Sequence, residues 1–323
     1  MRAAVYDQVG PADEVLRVRD VERPAPGPGE VLVRVHVSGV NPTDWKSRAG
    51  ATPRPIDGFQ IPNHDGAGVI DAVGAGVPAG RVGERVWLYM AAAGRRWGTA
   101  AEWTVVPADH AVPLPDGVSL ELGASLGVPA LTAHRCLFAD GSVDGKVVLV
   151  AGGAGAVGHY AIELAKWAGA RVVSTVSGPE KAELARAAGA DLVVNYTEDG
   201  AVDRIREFAP RADRIVEVAL GPNLELDLAV AGPETVVITY AADGADPVLP
   251  VRACMSANVT LRFILLYGVP QPALEQGVRD VTAALTAGAL TELPLNRFPL
   301  DDIVAAHQAV EGRAVGKVVL DLA

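Results

Sequence analysis

Three glycines at spacing i, i+3, i+6 (Gly152, Gly155 and Gly158) follow an apolar run, Lys146-Val-Val-Leu-Val-Ala151, and precede a helical stretch, His159 to Ala168. No other feature restricts the fold as much. An apolar strand that feeds a glycine-rich turn and opens a helix is the arrangement in which helix N-terminal amides receive a pyrophosphate. The plainer reading is a tight strand-to-helix connection, which needs glycine for positive φ and close packing. The surroundings favour the dinucleotide. A second strand, Arg171-Val-Val-Ser-Thr-Val176, arrives on schedule. A helix from Pro179 to Ala188, a third strand at Leu192–Asn195, and further runs at Ile215–Val218 and Thr235–Thr239 continue the series. Strand and helix alternating at this rhythm imply right-handed crossovers and a parallel sheet.

The chain before Leu120 reads differently. Val31, Val33, Val35 and Val37 share one face of a period-two strand. Gly66–Gly74 and Gly83–Leu88 read as further strands between turns, so this half is expected to be an antiparallel barrel or sandwich. After Arg262 come a helix at Leu274–Ala287, an extended piece near Leu293–Leu300, a helix at Asp301–Gly312 and a strand at Gly316–Leu320. The 323 residues suggest about two domains at ~150 residues each.

Composition removes several classes. Half the residues are hydrophobic and 21% are charged, which a disordered chain does not combine. The only two cysteines, Cys136 and Cys254, exclude a disulfide framework. The formal charge of −11 disfavours nucleic acid and anionic membrane surfaces as partners. The start shows no long apolar run and the interior no membrane span, so a soluble cytoplasmic protein is expected.

The end of the second strand bears on the cofactor. NAD sites of this kind offer Asp or Glu to the ribose 2′-OH about 20 residues beyond the glycines. Here the sequence is Ser174-Thr-Val-Ser-Gly-Pro-Glu-Lys181, with Ser177 and Lys181 where a carboxylate is expected. A hydroxyl and a lysine suit the 2′-phosphate of NADPH, which a carboxylate repels. The plainer reading makes Ser177 a helix cap and Lys181 an ordinary surface residue, and Glu180 lies nearby.

Taken in order, Asn41-Pro-Thr-Asp44, Gly83-Glu-Arg-Val86, the 152–158 loop, Ala165-Lys166, Gly169-Ala170, Glu180-Lys181, Gly189-Ala190, Asn195-Tyr196 and Gly316-Lys317-Val318 resemble one known family. It is the zinc-free quinone oxidoreductase (zeta-crystallin-like) branch of the medium-chain dehydrogenase/reductase superfamily, and the resemblance covers essentially the whole chain. It implies an α/β protein. A GroES-like β-rich catalytic domain comes from residues 1–122 and 263–323, and a Rossmann doubly wound parallel-sheet nucleotide-binding domain from residues 123–262. It also implies NADPH in the cleft between the domains and a homodimer joined edge to edge, for which Val259–Leu266 is the candidate edge.

Residue by residue, the resemblance places Asn41 and Asp44 near the nicotinamide and Thr132 beneath the ring. Gly152, Gly155, Ala156, Val157 and Gly158 take the pyrophosphate. Ser177, Lys181 and Tyr196 surround the 2′-phosphate and ribose. Ala219, Tyr240, Ala241, Phe263, Ile264 and Leu265 line the nicotinamide end, and Lys317 closes the site. Plainer roles stand beside these: Tyr196 as a strand cap, Phe263–Leu265 as core, Lys317 as a solvated edge residue.

The chain departs from the family at two places. Position 46 is Lys where many relatives carry tyrosine. Position 64 is His, where zinc-dependent cousins have a metal ligand in a His-Glu pair. Asn41 replaces those cousins' first cysteine ligand, and neither Cys136 nor Cys254 fits a ligand pattern, so no metal is expected. His64 and Lys46 remain candidate proton donors. Trp45, Tyr89, Met90 and Trp97 are candidates for an aromatic, apolar substrate wall. The expected activity is hydride or electron transfer from NADPH to a quinone. Two alternatives stay open: reduction of activated C=C bonds in enones, 2-alkenals or enoyl thioesters, and a non-catalytic NADPH-binding module.

Overall fold

The alternation at residues 31–37 is realised as a long strand, Glu30–Val40, whose valines are buried while Arg34 is exposed. The computed structural model describes residues 1–51, 55–242 and 246–322. In chain order the first elements are β1 (Arg2–Val5), α1 (Ala12–Val15), β2 (Arg17–Asp20), β3 (Glu30–Val40), α2 (Pro42–Arg48), β4 (Asp65–Val73), β5 (Arg85–Leu88), β6 (Trp103–Pro107) and β7 (Ala111–Pro113). The long helix α3 (Leu120–Phe138) follows.

The alternating region supplies β8 (Val147–Ala151), α4 (Ala156–Trp167), β9 (Arg171–Val176), α5 (Pro179–Ala187), β10 (Leu192–Asn195), α6 (Ala201–Phe208), β11 (Arg214–Glu217), α7 (Leu220–Val230), β12 (Val236–Thr239), α8 (Val251–Ala257), β13 (Thr260–Phe263) and α9 (Gln271–Thr286). The chain continues with β14 (Leu295–Pro299), α10 (Ile303–Glu311) and β15 (Lys317–Asp321).

Two compact units result: Met1–Val128 with Pro294–Ala323, and Pro129–Leu293. The expected boundaries after residues 122 and 262 both move. The first falls inside α3. The second lies at Pro294, because β13 pairs in parallel with β12 as the sixth strand of the parallel sheet and α9 packs on α4. The segment after Arg262 therefore still completes the nucleotide-type unit.

In the first unit β3 is the hub. One edge pairs with β4 along Val31–Gly39, and the other is shared by β6 at Glu30–Arg34 and β15 at Val37–Val40. β5 and β7 extend the sheet beyond β4, and β14 extends it beyond β15. The sheet is antiparallel as expected except for β14 and β15, which run parallel because α10 forms the crossover between them. Leu300, Ile303 and Ala306 from the α10 region pack with Val318 and Leu320 of β15 and with Ala4 and Val5 of β1.

In the second unit the strands run in the order β10-β9-β8-β11-β12-β13, all parallel. This is the doubly wound order with the sheet reversing direction at β8. Leu149, Val173, Val194, Ile215 and Val237, one from each of five adjacent strands, form the spine of its core.

Candidate active site

The reactive half is built where β3 ends. Asn41 closes the strand and Pro42 starts α2, a position where a missing N–H costs nothing. The Asn41 backbone N–H donates to Asp44 Oδ2 at 2.7 Å, which satisfies the junction. The Asn41 amide reaches two further elements. Its Nδ2 donates to Asp65 Oδ2 at 2.6 Å, at the start of β4, and its Oδ1 accepts from Lys317 Nζ at 2.7 Å, at the start of β15. Asp65 also accepts from the Val128 backbone N–H at 2.8 Å. Asn41, Asp44, His64, Asp65 and Lys317 are all at least 97% buried.

Two carboxyls and one ammonium without solvent set the protonation of the group. Burial raises Asp65 to about 6, opposed by Lys317 and by the hydrogen bonds from Asn41 and Val128. Burial, then the neighbouring Asp65, holds Asp44 well above the usual carboxylate range. Burial also lowers the Lys317 ammonium, which both aspartates support. The cluster thus sets Asp65 against Lys317 as the opposed charges and pushes Asp44 toward its protonated form. Asp44 Oδ1 accepts no hydrogen bond among the described residues and lies 4.0 Å from His64 Nε2. A proton on Oδ1 makes this otherwise orphaned oxygen a donor facing the imidazole.

Asp44 and His64 face a cavity of about 460 Å³, whose walls include Tyr6, Phe59 and Asn63. The expected aromatic wall is not there. Tyr89 and Met90 are core residues, and Trp97 packs edge-on against Phe59 at 6.0 Å between centroids. The Lys46 ammonium lies 5.8 Å from the Trp45 ring centroid. Sequence reasoning did not single out Tyr6, Phe59, Asn63 or Asp65. The sole signal was the adjacency Asn63-His64-Asp65.

The nucleotide half lies in the parallel unit. The three glycines there have three different reasons. Gly152 has φ +70°, a left-handed conformation. A Cβ on Gly158 would sit 2.3 Å from Gly152 O, so α4 is held against the loop by close packing. Gly155 needs neither: its φ is −79° and a Cβ would meet only Gly152 O at 3.4 Å. The backbone at Gly155, at the N-terminus of α4, therefore faces open space that a side chain would enter.

At the exit of β9, Lys181 Nζ donates to Ser177 Oγ at 3.0 Å. Ser177 and Tyr196 are exposed, and Glu180 sits exposed in the first turn of α5. Arg171 is at the far end of the same strand, stacked on Phe208 at 4.2 Å. Ala219, Tyr240, Ala241 and Ile264 fall at the C-terminal ends of β11, β12 and β13, where open parallel sheets bind ligands. Phe263 and Leu265 are exposed rather than core, 68% and 69% accessible. Thr132 is buried on α3.

Residues 27–116 match the alcohol dehydrogenase GroES-like domain, and residues 156–283 match the zinc-binding dehydrogenase family. Human quinone oxidoreductase is 31% identical over 99% of this chain and 97% of its own length. The chain belongs to the quinone oxidoreductase branch of the medium-chain dehydrogenase/reductase superfamily. Its two units are thus the GroES-like and Rossmann units of an oxidoreductase family, and the second match runs past residue 262, as the sheet does. A 2-haloacrylate reductase from a Burkholderia species is 30% identical over 99% of the chain and 98% of the relative. Among solved structures, a mycobacterial protein complexed with NADPH has a TM-score of 0.86 at 31% identity, covering 99% of both chains.

The second family description raises the question of zinc, and the residues present do not fit it. Asn41 stands where a thiolate ligand is needed, and its amide is fully engaged by Asp65 and Lys317. A buried ammonium 2.7 Å from Asn41 occupies the place with positive charge of its own. Among the described residues no group of three or more His, Cys, Asp or Glu is arranged to hold an ion. Among the same residues, no helix is long and apolar enough to cross a membrane.

Proposed function

We propose that this protein is an NADPH-dependent, zinc-independent oxidoreductase that reduces quinones. The observation that carries the reading is the cavity of about 460 Å³ that Phe59 and Tyr6 line together with the Asp44–His64 pair. An aromatic wall suits a flat conjugated ring. A protonated Asp44 beside His64 stands ready for the carbonyl oxygen, where negative charge grows during reduction.

Bound NADPH supplies the hydride. The chain's own residues do the rest. Gly155 and the α4 N-terminus leave room for the pyrophosphate, and Ser177 with Lys181 meets the 2′-phosphate at a strand end that carries no carboxylate. Lys317 and Asp65 hold Asn41 from both ends of its amide and fix the β3–α2 junction from which Asp44 projects. Asp44, with His64 beside it, holds the proton for the reduced product. A homodimer joined along β13, whose Phe263 is exposed, agrees with the family expectation.

The resemblance to a 2-haloacrylate reductase favours one second reading, hydride delivery to an activated C=C bond. Two measurements test these readings. Fluorescence titration with NADPH and NADH separately is expected to give tight binding of NADPH alone, and equal affinity for both removes the Ser177–Lys181 reading. Turnover of 1,4-benzoquinone is expected to exceed that of 2-cyclohexenone, and activity on the enone alone replaces the quinone by the second reading.

A further inference from the structure

His307 is wholly buried on α10 and has no part in the site described above. Burial, then the nearby Arg48, pushes its pKa down to about 3, so the ring is neutral. A buried neutral imidazole carries one N–H that needs an acceptor. It finds one at 3.2 Å, Asn63 Oδ1. Asn63 Nδ2 in turn donates to Ser38 Oγ at 3.0 Å, and Ser38 Oγ lies 2.7 Å from Thr99 Oγ1. Thr99 Oγ1 donates to the Asp65 carbonyl at 2.5 Å. Each hydroxyl and amide passes its proton in the same direction, so one chain of donors runs from His307 to the backbone of Asp65.

That chain encloses His64. Asn63 has φ +73°, a left-handed conformation that a non-glycine residue adopts at some cost. The turn it makes sends the backbone into His64. Thr99 grips both sides of this turn, its N–H on the Asn63 carbonyl at 3.0 Å and its hydroxyl on the Asp65 carbonyl. The Ala91 N–H holds the His64 carbonyl at 3.0 Å. The Asn63 amide ties the turn to α10 through His307.

We propose that His307 is a positioning residue: through Asn63 it holds the left-handed turn that aims His64 at Asp44 and the cavity. This rests on the reading of His64 as a group that meets the substrate. The imidazole combines a single buried donor with an otherwise apolar ring, which suits the buried α10 face that His307 shares with Ile303 and Ala306.

The test compares His307→Leu, His307→Gln, His64→Ala and the double variant His307→Leu/His64→Ala with the unaltered protein. Because a misplacement of about 1 Å costs up to ~100-fold in rate, His307→Leu is expected to lower kcat for 1,4-benzoquinone about tenfold. KM and the NADPH Kd are expected to stay within twofold. The glutamine amide donates to Asn63 Oδ1, so His307→Gln is expected to recover most of the rate. The double variant is expected to be no more than about twofold slower than His64→Ala, since coupled residues are not additive.

Ring 15N resonances of His64 in the cofactor-free protein give an independent readout: shifted in His307→Leu, restored in His307→Gln. Multiplying losses in the double variant, or an unmoved His64 resonance, overturns the inference. If His64→Ala alone leaves kcat intact, the substrate-facing reading of His64 falls, and the resonances then decide separately whether His307 holds the ring. Should His307→Leu fail to fold, Asn63→Gly keeps the positive φ, removes the amide, and is expected to give the same loss.

Discussion

Lys317 Nζ lies 2.7 Å from Asn41 Oδ1; Lys317 begins β15 and Asn41 directly follows β3, two strands that pair side by side. The pairing brings the ammonium into a buried group that contains Asp44 and Asp65. Removing one member of such a buried set leaves the others uncompensated, a loss of about 3–5 kcal/mol. Lys317→Met is therefore expected to destabilise the protein. The loss is expected to be smaller at pH 5.5 than at pH 8, because Asp65, raised to about 6 in the intact cluster, takes up a proton more readily once the lysine is gone. Urea denaturation at both pH values checks this, and equal losses count against the charge balance.

The contrast between two glycines separates folding from binding. Gly155→Ala places its Cβ 3.4 Å from Gly152 O, an ordinary contact, whereas Gly158→Ala places it 2.3 Å from the same oxygen. Gly155→Ala is expected to change stability by less than about 1 kcal/mol yet weaken NADPH binding at least ~10-fold, since the methyl enters the open space at the α4 N-terminus. Gly158→Ala is expected to lose about 2–4 kcal/mol through the clash with backbone. Thermal midpoints and fluorescence titrations of the two variants decide it. If Gly155→Ala binds normally, that space is not where the pyrophosphate lies.

Glu217 and Asp227 are both wholly buried in the Rossmann unit, on β11 and α7. Glu217 Oε1 accepts from the Ala219 backbone and from Asn223 Nδ2, while Glu217 Oε2 and both Asp227 oxygens lack another donor among the described residues. A proton shared between the carboxyls resolves this, and burial with the adjacent Glu217 raises Asp227 to about 9. The folded pKa lies above the unfolded one, so the fold binds the extra proton. This contribution is complete below the unfolded pKa near 4, and stability declines as pH rises toward 9, by about 1.4 kcal/mol per unit at most. Asp227→Asn is expected to flatten that decline between pH 6 and 9. Parallel stability curves for the two proteins would refute the shared proton.

The parts of this molecule that repeat locally were legible in the sequence. The valines of β3, the apolar run of β8 and the glycines after it carry their own periodicity, and the strands at 171–176 and 192–195 were read to the residue. What stayed hidden depends on contacts across long stretches of chain. Lys317 meets Asn41 across 276 positions and His307 meets Asn63 across 244. No local pattern distinguishes either residue from a solvated or core residue of the same type. The aromatic wall was misplaced for a related reason. Tyr89 in a strand-rich region and Phe59 in a loop look alike as hydrophobes, and only the packing shows which one faces a cavity. The second boundary was missed because β13 and α9 continue the same strand-and-helix alternation, with no break in composition at Pro294.

The first unit is discontinuous in sequence, and β15 lies between β14 and β3, an interior strand of its sheet. A ribosome makes residues 129–293 before it makes the strand that β3 lacks, a wait of roughly ten to thirty seconds at ~5–20 residues per second. During that interval one edge of β3 is open where β15 will pair, and the buried carboxyls near Asn41 have no counter-charge. Meanwhile the Rossmann unit has all six of its strands and can close. Nascent chains thus acquire a nucleotide fold before a reactive centre, and a product cut short after Leu293 would keep the former without the latter.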